Sequence, residues 1–426
     1  MIIKKSFLKD VLTLSIFFFS FFNSVSLFIS LILLFSLFFD KEIGAIKILN
    51  LITFRTVINP GLAVDLSNFE IIKWIAILSA SCYLVFSFFK LDNLQRRELT
   101  PVLIFIFLFY FYTIISSFIF SSLPTVALFK ISSYIIPFFA IIVGIYLTRE
   151  KIDWMQWLFK VFFLVGFLSV FLIPLPIGYL RNSVGFQGIL NHPNLFGIVM
   201  VLFFSLTITK YTNKRFQKKI YFYLLEFSII ILIFLSKSRT SFLSVIIILI
   251  LFFILDSKKN MLYKYLIFLL LLLIFLTYII MDPTPLESLQ SFLYKGQENG
   301  NIFFSREQQA AGIIGNFMKN PFFGTGFGVP VTNFRSFAFS FDAVVEPGNL
   351  IFAVLSYGGI FGLIFFFMYM LKIIHFNLKN LRKQIYLPLA AILISMGEMV
   401  FFSTNNIGVW LYMLIAIYMF YPIENN

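Results

Sequence analysis

The feature that most constrains this chain is the spacing of its apolar runs. Stretches of about 17–25 residues with almost no charge recur along it, which is the length a helix needs to cross a hydrocarbon core. They start near residues 11, 70, 101, 124, 154, 194, 220, 240, 262, 349, 385 and 408. Hydrophobic residues make up 60% of the 426, and the mean hydropathy is +0.96, so soluble packing is excluded. The reading is an all-α polytopic membrane protein of about twelve transmembrane helices, because only structures that satisfy their own backbone survive in lipid.

The net charge of +14 invites a nucleic-acid reading, but the basic residues fall in short clusters between apolar runs. That is a topology signal. With the amino terminus inside, the inner segments hold 20 of the 33 lysines and arginines, so both termini are assigned to the cytoplasm. The first run, Val11 to Phe39, is too long for a signal sequence and reads as one uncleaved helix. Residues 41–68 are half polar and read as an interfacial or re-entrant element, since one more crossing would invert every later loop. The single cysteine, Cys82, lies in an apolar run and excludes an internal disulfide. The chain reads as one membrane domain over 1–426, with a large outer loop at 282–347. In that loop Ser305 to Gln308 has the form of a capping box, ahead of a short amphipathic helix that stops before Asn320.

Against the positive-inside bias, Arg181, Arg239 and Arg306 fall in segments assigned outside. Cations there suit an anionic partner. Arg306, in the first turn of its helix, opposes the helix dipole unless a phosphate is bound. Arg181 leads into Asn191-His192-Pro193-Asn194 at a helix entrance, where Asn191 or His192 can be an ordinary cap or can bind a sugar. Lys237 and Arg239 share the turn Ser236-Lys237-Ser238-Arg239, which either snorkels at the headgroups or binds phosphate bidentately. Asn320 to Gly328 is glycine-rich, and Gly324 and Gly326 either line a sugar-phosphate site or simply permit a turn. Glu346, just before Asn349 at the next helix entrance, is the nearest acidic group and a candidate base. Lys130 and Glu398 lie toward the outer side and are minor functional candidates, whereas Lys160, Glu226 and His375 read as snorkelling at cytoplasmic ends. The two histidines, His192 and His375, fall on opposite sides, so no histidine metal site is expected.

In their order and shared sidedness these motifs resemble the O-antigen ligase and polymerase superfamily, most closely the oligosaccharide repeat-unit polymerases called Wzy. The similar parts are Arg181 with His192 to Gly197, Ser236 to Arg239, Arg306 with Asn320 to Gly326, and Asn349 to Gly362. Ile48 to Gly61 resembles the start of capsular and exopolysaccharide polymerases. Ligases of the superfamily place a histidine before the asparagine of the last motif, where this chain has Gly348.

The resemblance implies a GT-C-like membrane glycosyltransferase of the bacterial cytoplasmic membrane, working in an outer-face cavity under the large loop. Its donor would be a glycan on undecaprenyl diphosphate and its acceptor a hydroxyl on the next lipid-linked repeat unit. A flippase and a chain-length regulator are expected partners besides the bilayer. No nucleic acid, cofactor or metal is called for. In that scheme Arg239 and Arg306 bind the diphosphate and Arg181 helps there or holds the acceptor. His192 or Glu346 orients or deprotonates the hydroxyl, and Asn194, Lys237, Gly324, Gly326 and Asn349 contact substrate. The rivals are a ligase and a flippase or transporter of lipid-linked oligosaccharide.

Overall fold

The computed structural model describes residues 13–181, 185–214, 219–255, 313–329, 348–403 and 406–421. Among them are twelve helices of ten or more residues and no strand, save one isolated antiparallel bridge between Ile58 and Leu190. In chain order these are α1 (Ser24–Phe35), α2 (Lys41–Thr56), α3 (Glu70–Ser87), α4 (Asn93–Phe120), α5 (Pro124–Thr148) and α6 (Trp154–Val170). They continue as α7 (Pro193–Thr212), α8 (Lys219–Leu235), α9 (Arg239–Leu255), α10 (Leu350–Phe376), α11 (Tyr386–Ser395) and α12 (Gly408–Phe420). Helices α4, α5, α7 and α10 are each long and apolar enough to cross a membrane.

Helices apolar on every face belong at the centre of a bundle. Every residue of α12 is buried, as is α7 from Leu195 to Lys210. Phenylalanines such as Phe107, Phe111 and Phe118 on α4 and Phe227 and Phe234 on α8 stay exposed, a surface that suits lipid rather than water.

The bundle has two chemically distinct ends. One gathers polar pairs from many helices: Lys90 with Glu42 at 2.9 Å, Arg149 with Glu98 at 3.5 Å, Lys210 with Gln156, and the Thr212 hydroxyl donating to the Lys383 carbonyl at 2.7 Å. At the opposite end lie the turns after α2, α6 and α8, the starts of α7, α9 and α10, and the link from α11 to α12. The described motif residues all fall at this second end.

Two expectations for the amino-terminal region are corrected. The first apolar run is not one helix. It breaks at Ser20–Asn23, where the Ser20 hydroxyl donates to the Phe17 carbonyl at 2.6 Å and Asn23 caps α1 through a capping box with Ser26. Nor does Lys41–Thr56 lie at the surface. It forms α2, buried from Gly44 to Arg55 and reaching from the Glu42–Lys90 pair at one end to Phe17, stacked on Phe54, at the other. The tight reversal before it needs Gly44, since a Cβ there would sit 1.7 Å from the Leu37 carbonyl oxygen. A third correction concerns Glu226, which is 7% exposed and hydrogen-bonded to Thr207 rather than snorkelling.

Helix α10 is opened at Gly359, whose φ of 64° and ψ of −160° interrupt the helical ladder. The freed backbone groups find partners in the glycine-rich segment. Thr325 N donates to Ser356 O at 2.9 Å and Gly326 N to Tyr357 O at 3.2 Å, while Ile360 N and Phe361 N donate to Pro321 O and Phe322 O at 2.9 and 3.3 Å. A broken helix is tolerated inside a membrane protein when its backbone is satisfied again in this way.

Candidate functional site

The site is built outward from the first turn of α7. Pro193 occupies the first helical position, and His192 is the N-cap, its Nδ1 accepting from Asn194 N at 3.1 Å. A neutral imidazole has one acceptor and one donor nitrogen, so this bond assigns the proton to Nε2. Held thus, Nδ1 is engaged by the first turn of α7 and is not open to a ligand as a base. Its neighbour Asn194 extends the other way, its Nδ2 donating to Glu398 Oε1 at 2.8 Å.

Glu398 belongs to a segment in which the run starting near 385 does not stay helical. α11 ends at Ser395, and residues 396–403 run in an irregular turn on the way to α12. Four motif-bearing segments converge on this turn. Asn194 reaches Glu398; the Asn349 Nδ2 donates to Met396 O at 3.0 Å; Thr240 packs on Gly397 so closely that a Cβ there would lie 2.0 Å from its Cγ2; and Phe327 meets Phe402 ring to ring at 5.0 Å. Glu398 is the described carboxylate at this convergence, and the sequence reading gave it only a minor place.

Small residues join the first two motifs. A Cβ on Gly197 would fall 2.7 Å from Ser238 Cβ and 2.8 Å from the Oγ atoms of Ser236 and Ser241, so the serine-rich turn seats directly on α7. Phe186 N donates to Leu235 O at 3.0 Å and reinforces the contact. The turn carries Lys237, exposed and with φ of 54°, and half-buried Arg239 at the start of α9.

Three expected substrate contacts are occupied within the chain. The amides of Thr325 and Gly326 serve the opened α10, and Gly324 N donates to Asn320 O at 2.9 Å. Gly324 has φ of 74° and a Cβ there would meet Gly358 N at 2.5 Å, so it is required by the close approach of two backbones, while Gly326, with φ of 106°, would press a Cβ to 2.5 Å from the Ser121 side chain. Asn349 caps α10, its Oδ1 accepting from Ile351 N and Phe352 N at 3.0 and 3.2 Å while its Nδ2 holds Met396 O. Arg306, Glu346, the capping box at 305–308 and most of the 282–347 loop lie outside the described residues, although residues 313–319 are helical and stop at Asn320.

Beside His192 the structure opens a cavity of about 550 Å³, lined on one side by Arg181, Gln187, Asn191 and His192 and on the other by Arg55, Pro60 and Asp65. Asn59, fully buried, ties the two sides together. Its Nδ2 donates to Ile177 O at 2.8 Å and Gly188 O at 3.0 Å, and its Oδ1 accepts from Gly61 N at 2.9 Å. The backbone adds Asn59 N to Ile189 O at 2.8 Å and Asn191 N to Val57 O at 2.9 Å. Arg55 is committed to Ser20 and the Val64 carbonyl, with the Phe21 ring 5.5 Å away. The hydroxyl and N–H of Ser67 hold the Asp65 carboxyl below its ordinary range, so it is ionised at neutral pH. Gln187 is 1% exposed; its Oε1 accepts from Arg181 N at 2.9 Å, and its Nε2 has no hydrogen-bond partner. A buried donor left unpaired costs about 1–3 kcal/mol.

Fold and site together define an all-α, multi-pass membrane protein whose polar motifs meet at one end of the bundle around an acidic turn and an open cavity. Residues 224–367 match the family model described as O-Antigen ligase, a match that supports a place in the O-antigen ligase/polymerase superfamily and glycan processing at a membrane. The match begins in α8 and takes in Ser236 to Arg239, Asn320 to Gly326 and Asn349 to Gly362, leaving Arg181 and His192 outside it. No curated protein matches the chain.

Proposed function

We propose that this protein is a glycosyltransferase that polymerises undecaprenyl-diphosphate-linked oligosaccharide repeat units into a capsular, exopolysaccharide or O-antigen chain. The observation that carries this reading is the convergence of segments bearing Asn194, Thr240, Phe327 and Asn349 on the turn that holds Glu398, at the end of the bundle opposite the polar pairs of Lys90, Arg149 and Lys210. On the positive-inside bias, the Glu398 end faces outward from the bacterial cytoplasmic membrane and both termini lie in the cytoplasm.

In the reaction, the acceptor hydroxyl oxygen attacks the anomeric carbon of the donor. The bond from that carbon to the diphosphate oxygen breaks, its electron pair leaves on the diphosphate, and the hydroxyl proton passes to a carboxylate. Fixed cations lower the barrier by meeting the charge that develops on the leaving group. Arg239 and Arg306 take that role, with Lys237 beside Arg239. Glu398, oriented by Asn194, joins Glu346 as a proton acceptor. His192, whose Nδ1 is held by the cap, orients the acceptor rather than deprotonating it. Gly348 before Asn349 favours polymerase over ligase, since the histidine of the ligases is missing there.

The test is reconstitution of the purified protein with lipid-diphosphate repeat units, read as a glycan ladder on a gel. A ladder that Arg239→Ala abolishes supports the proposal. Transfer of the lipid across the bilayer without a ladder replaces it with transport.

A further inference from the structure

We infer that the cavity between the α2–α3 loop and the residues Leu180, Arg181, Gln187, Asn191 and His192 is a carbohydrate subsite, taking the terminal sugar of the acceptor glycan, with Gln187 as its specificity-determining donor. The inference rests on the polymerase reading for the identity of the glycan, but its basis is geometric. The cavity of about 550 Å³ falls within the size of small-molecule sites, about 300–1,000 Å³. Gln187 lines it with a buried amide whose orientation is fixed, because Oε1 must face the Arg181 N–H. The unpartnered Nε2 is therefore a preset donor waiting for an acceptor atom.

The other polar groups choose among ligands. Asp65 offers an ionised acceptor and Asn191 an amide with both functions, while Arg181 supplies an exposed cation at the mouth. Arg55 uses Nε and Nη2 on Ser20 and Val64, so the lining does not present paired guanidinium forks. A diphosphate would face Asp65 with one available arginine. A sugar ring, whose hydroxyls donate and accept in turn, matches a lining that mixes donors with a carboxylate. Pro60, Ala63 and Leu180 leave apolar wall for the ring's carbon face.

Half of this subsite comes from Arg55 to Leu66, far in sequence from the segment that matches the family model. The chemistry of transfer and the choice of acceptor are thereby carried by different parts of the chain.

The experiment uses the full chain in lipid nanodiscs, with Cys82→Ser and Leu180→Cys placing one thiol at the cavity wall. Alkylation of that thiol by a charged maleimide is timed against two probes, the repeat-unit oligosaccharide freed by mild acid from the source cell's lipid-linked intermediates, and inorganic pyrophosphate. The oligosaccharide is expected to slow labelling saturably and pyrophosphate to leave it unchanged. Gln187→Glu keeps the acceptor for Arg181 N but removes the donor, and should raise the half-protecting concentration about tenfold. Protection by pyrophosphate alone, or none by oligosaccharide, overturns the subsite even if the same protein makes a glycan ladder. Protection without a ladder keeps the subsite and overturns the polymerase.

Discussion

The amide of Asn194 donates to the carboxylate of Glu398 at 2.8 Å, joining the first turn of α7 to the irregular turn between α11 and α12 across 204 positions of sequence. A hydrogen bond to a charged group contributes about 1.5–3 kcal/mol. It fixes the carboxylate on which the proposed proton transfer depends.

Glu398→Ala and Asn194→Ala are therefore each expected to cut polymer yield strongly, and the double variant to be little worse than either single one, because the pair acts as a unit. Glu398→Gln separates charge from position, since its amide oxygen still accepts from Asn194. Yield from Glu398→Gln should fall as in Glu398→Ala if the carboxylate takes a proton. Full retention by Glu398→Gln would make the residue purely structural.

Gly197→Ala forces a methyl group against Ser236, Ser238 and Ser241. Overpacking of this kind costs about 1–3 kcal/mol. A lowered unfolding temperature in detergent is expected, with partial recovery when Ser241→Ala is added, which removes the Oγ 2.8 Å from the new methyl group. Equal damage with and without the serine change would place the strain elsewhere.

The opened α10 gives a matched pair of tests. Gly359→Ala combines a positive φ with a Cβ 2.3 Å from the Phe322 carbonyl carbon, whereas Gly362→Ala meets nothing nearer than 3.4 Å. The first should lose stability and activity and the second neither, as judged by thermal unfolding and ladder length. Similar outcomes for both would mean the opening is not required.

Asn59→Ala removes three side-chain hydrogen bonds that clamp the cavity's two sides. Leaving the Ile177 and Gly188 carbonyls unpaired costs about 1–3 kcal/mol each. The Leu180→Cys thiol should then label faster without any ligand, a direct readout of a loosened cavity. An unchanged rate would show that the Ile58–Leu190 bridge suffices.

Helices α3 to α10 were legible because long uncharged runs admit few alternatives, yet α2 was not. Its charges read as surface, but the three that are buried each find a partner outside the helix: Glu42 in Lys90, Lys47 in the Trp157 ring at 4.6 Å, and Arg55 in Ser20 and Val64. The break before α1 did carry a local sign, Asn23 ahead of Ser26, hidden among phenylalanines. For the site, the motif order placed His192, Asn194, Arg239 and Asn349 at one end, whereas the partners of Asn194 and Asn349 came only with the fold. Nothing near Gly324 announces Tyr357, and nothing near Asn194 announces Glu398. Gln187 lies between Arg181 and Asn191 in the sequence, but only the fold leaves its nitrogen without a partner.

The segment that fills the opening in α10 precedes that helix in the chain. A nascent polypeptide thus makes the stopper before the bottle. The groups that Gly359 frees in α10 are met by Pro321 to Gly326, already synthesised when that helix emerges, so closing the gap waits on no later part of the chain.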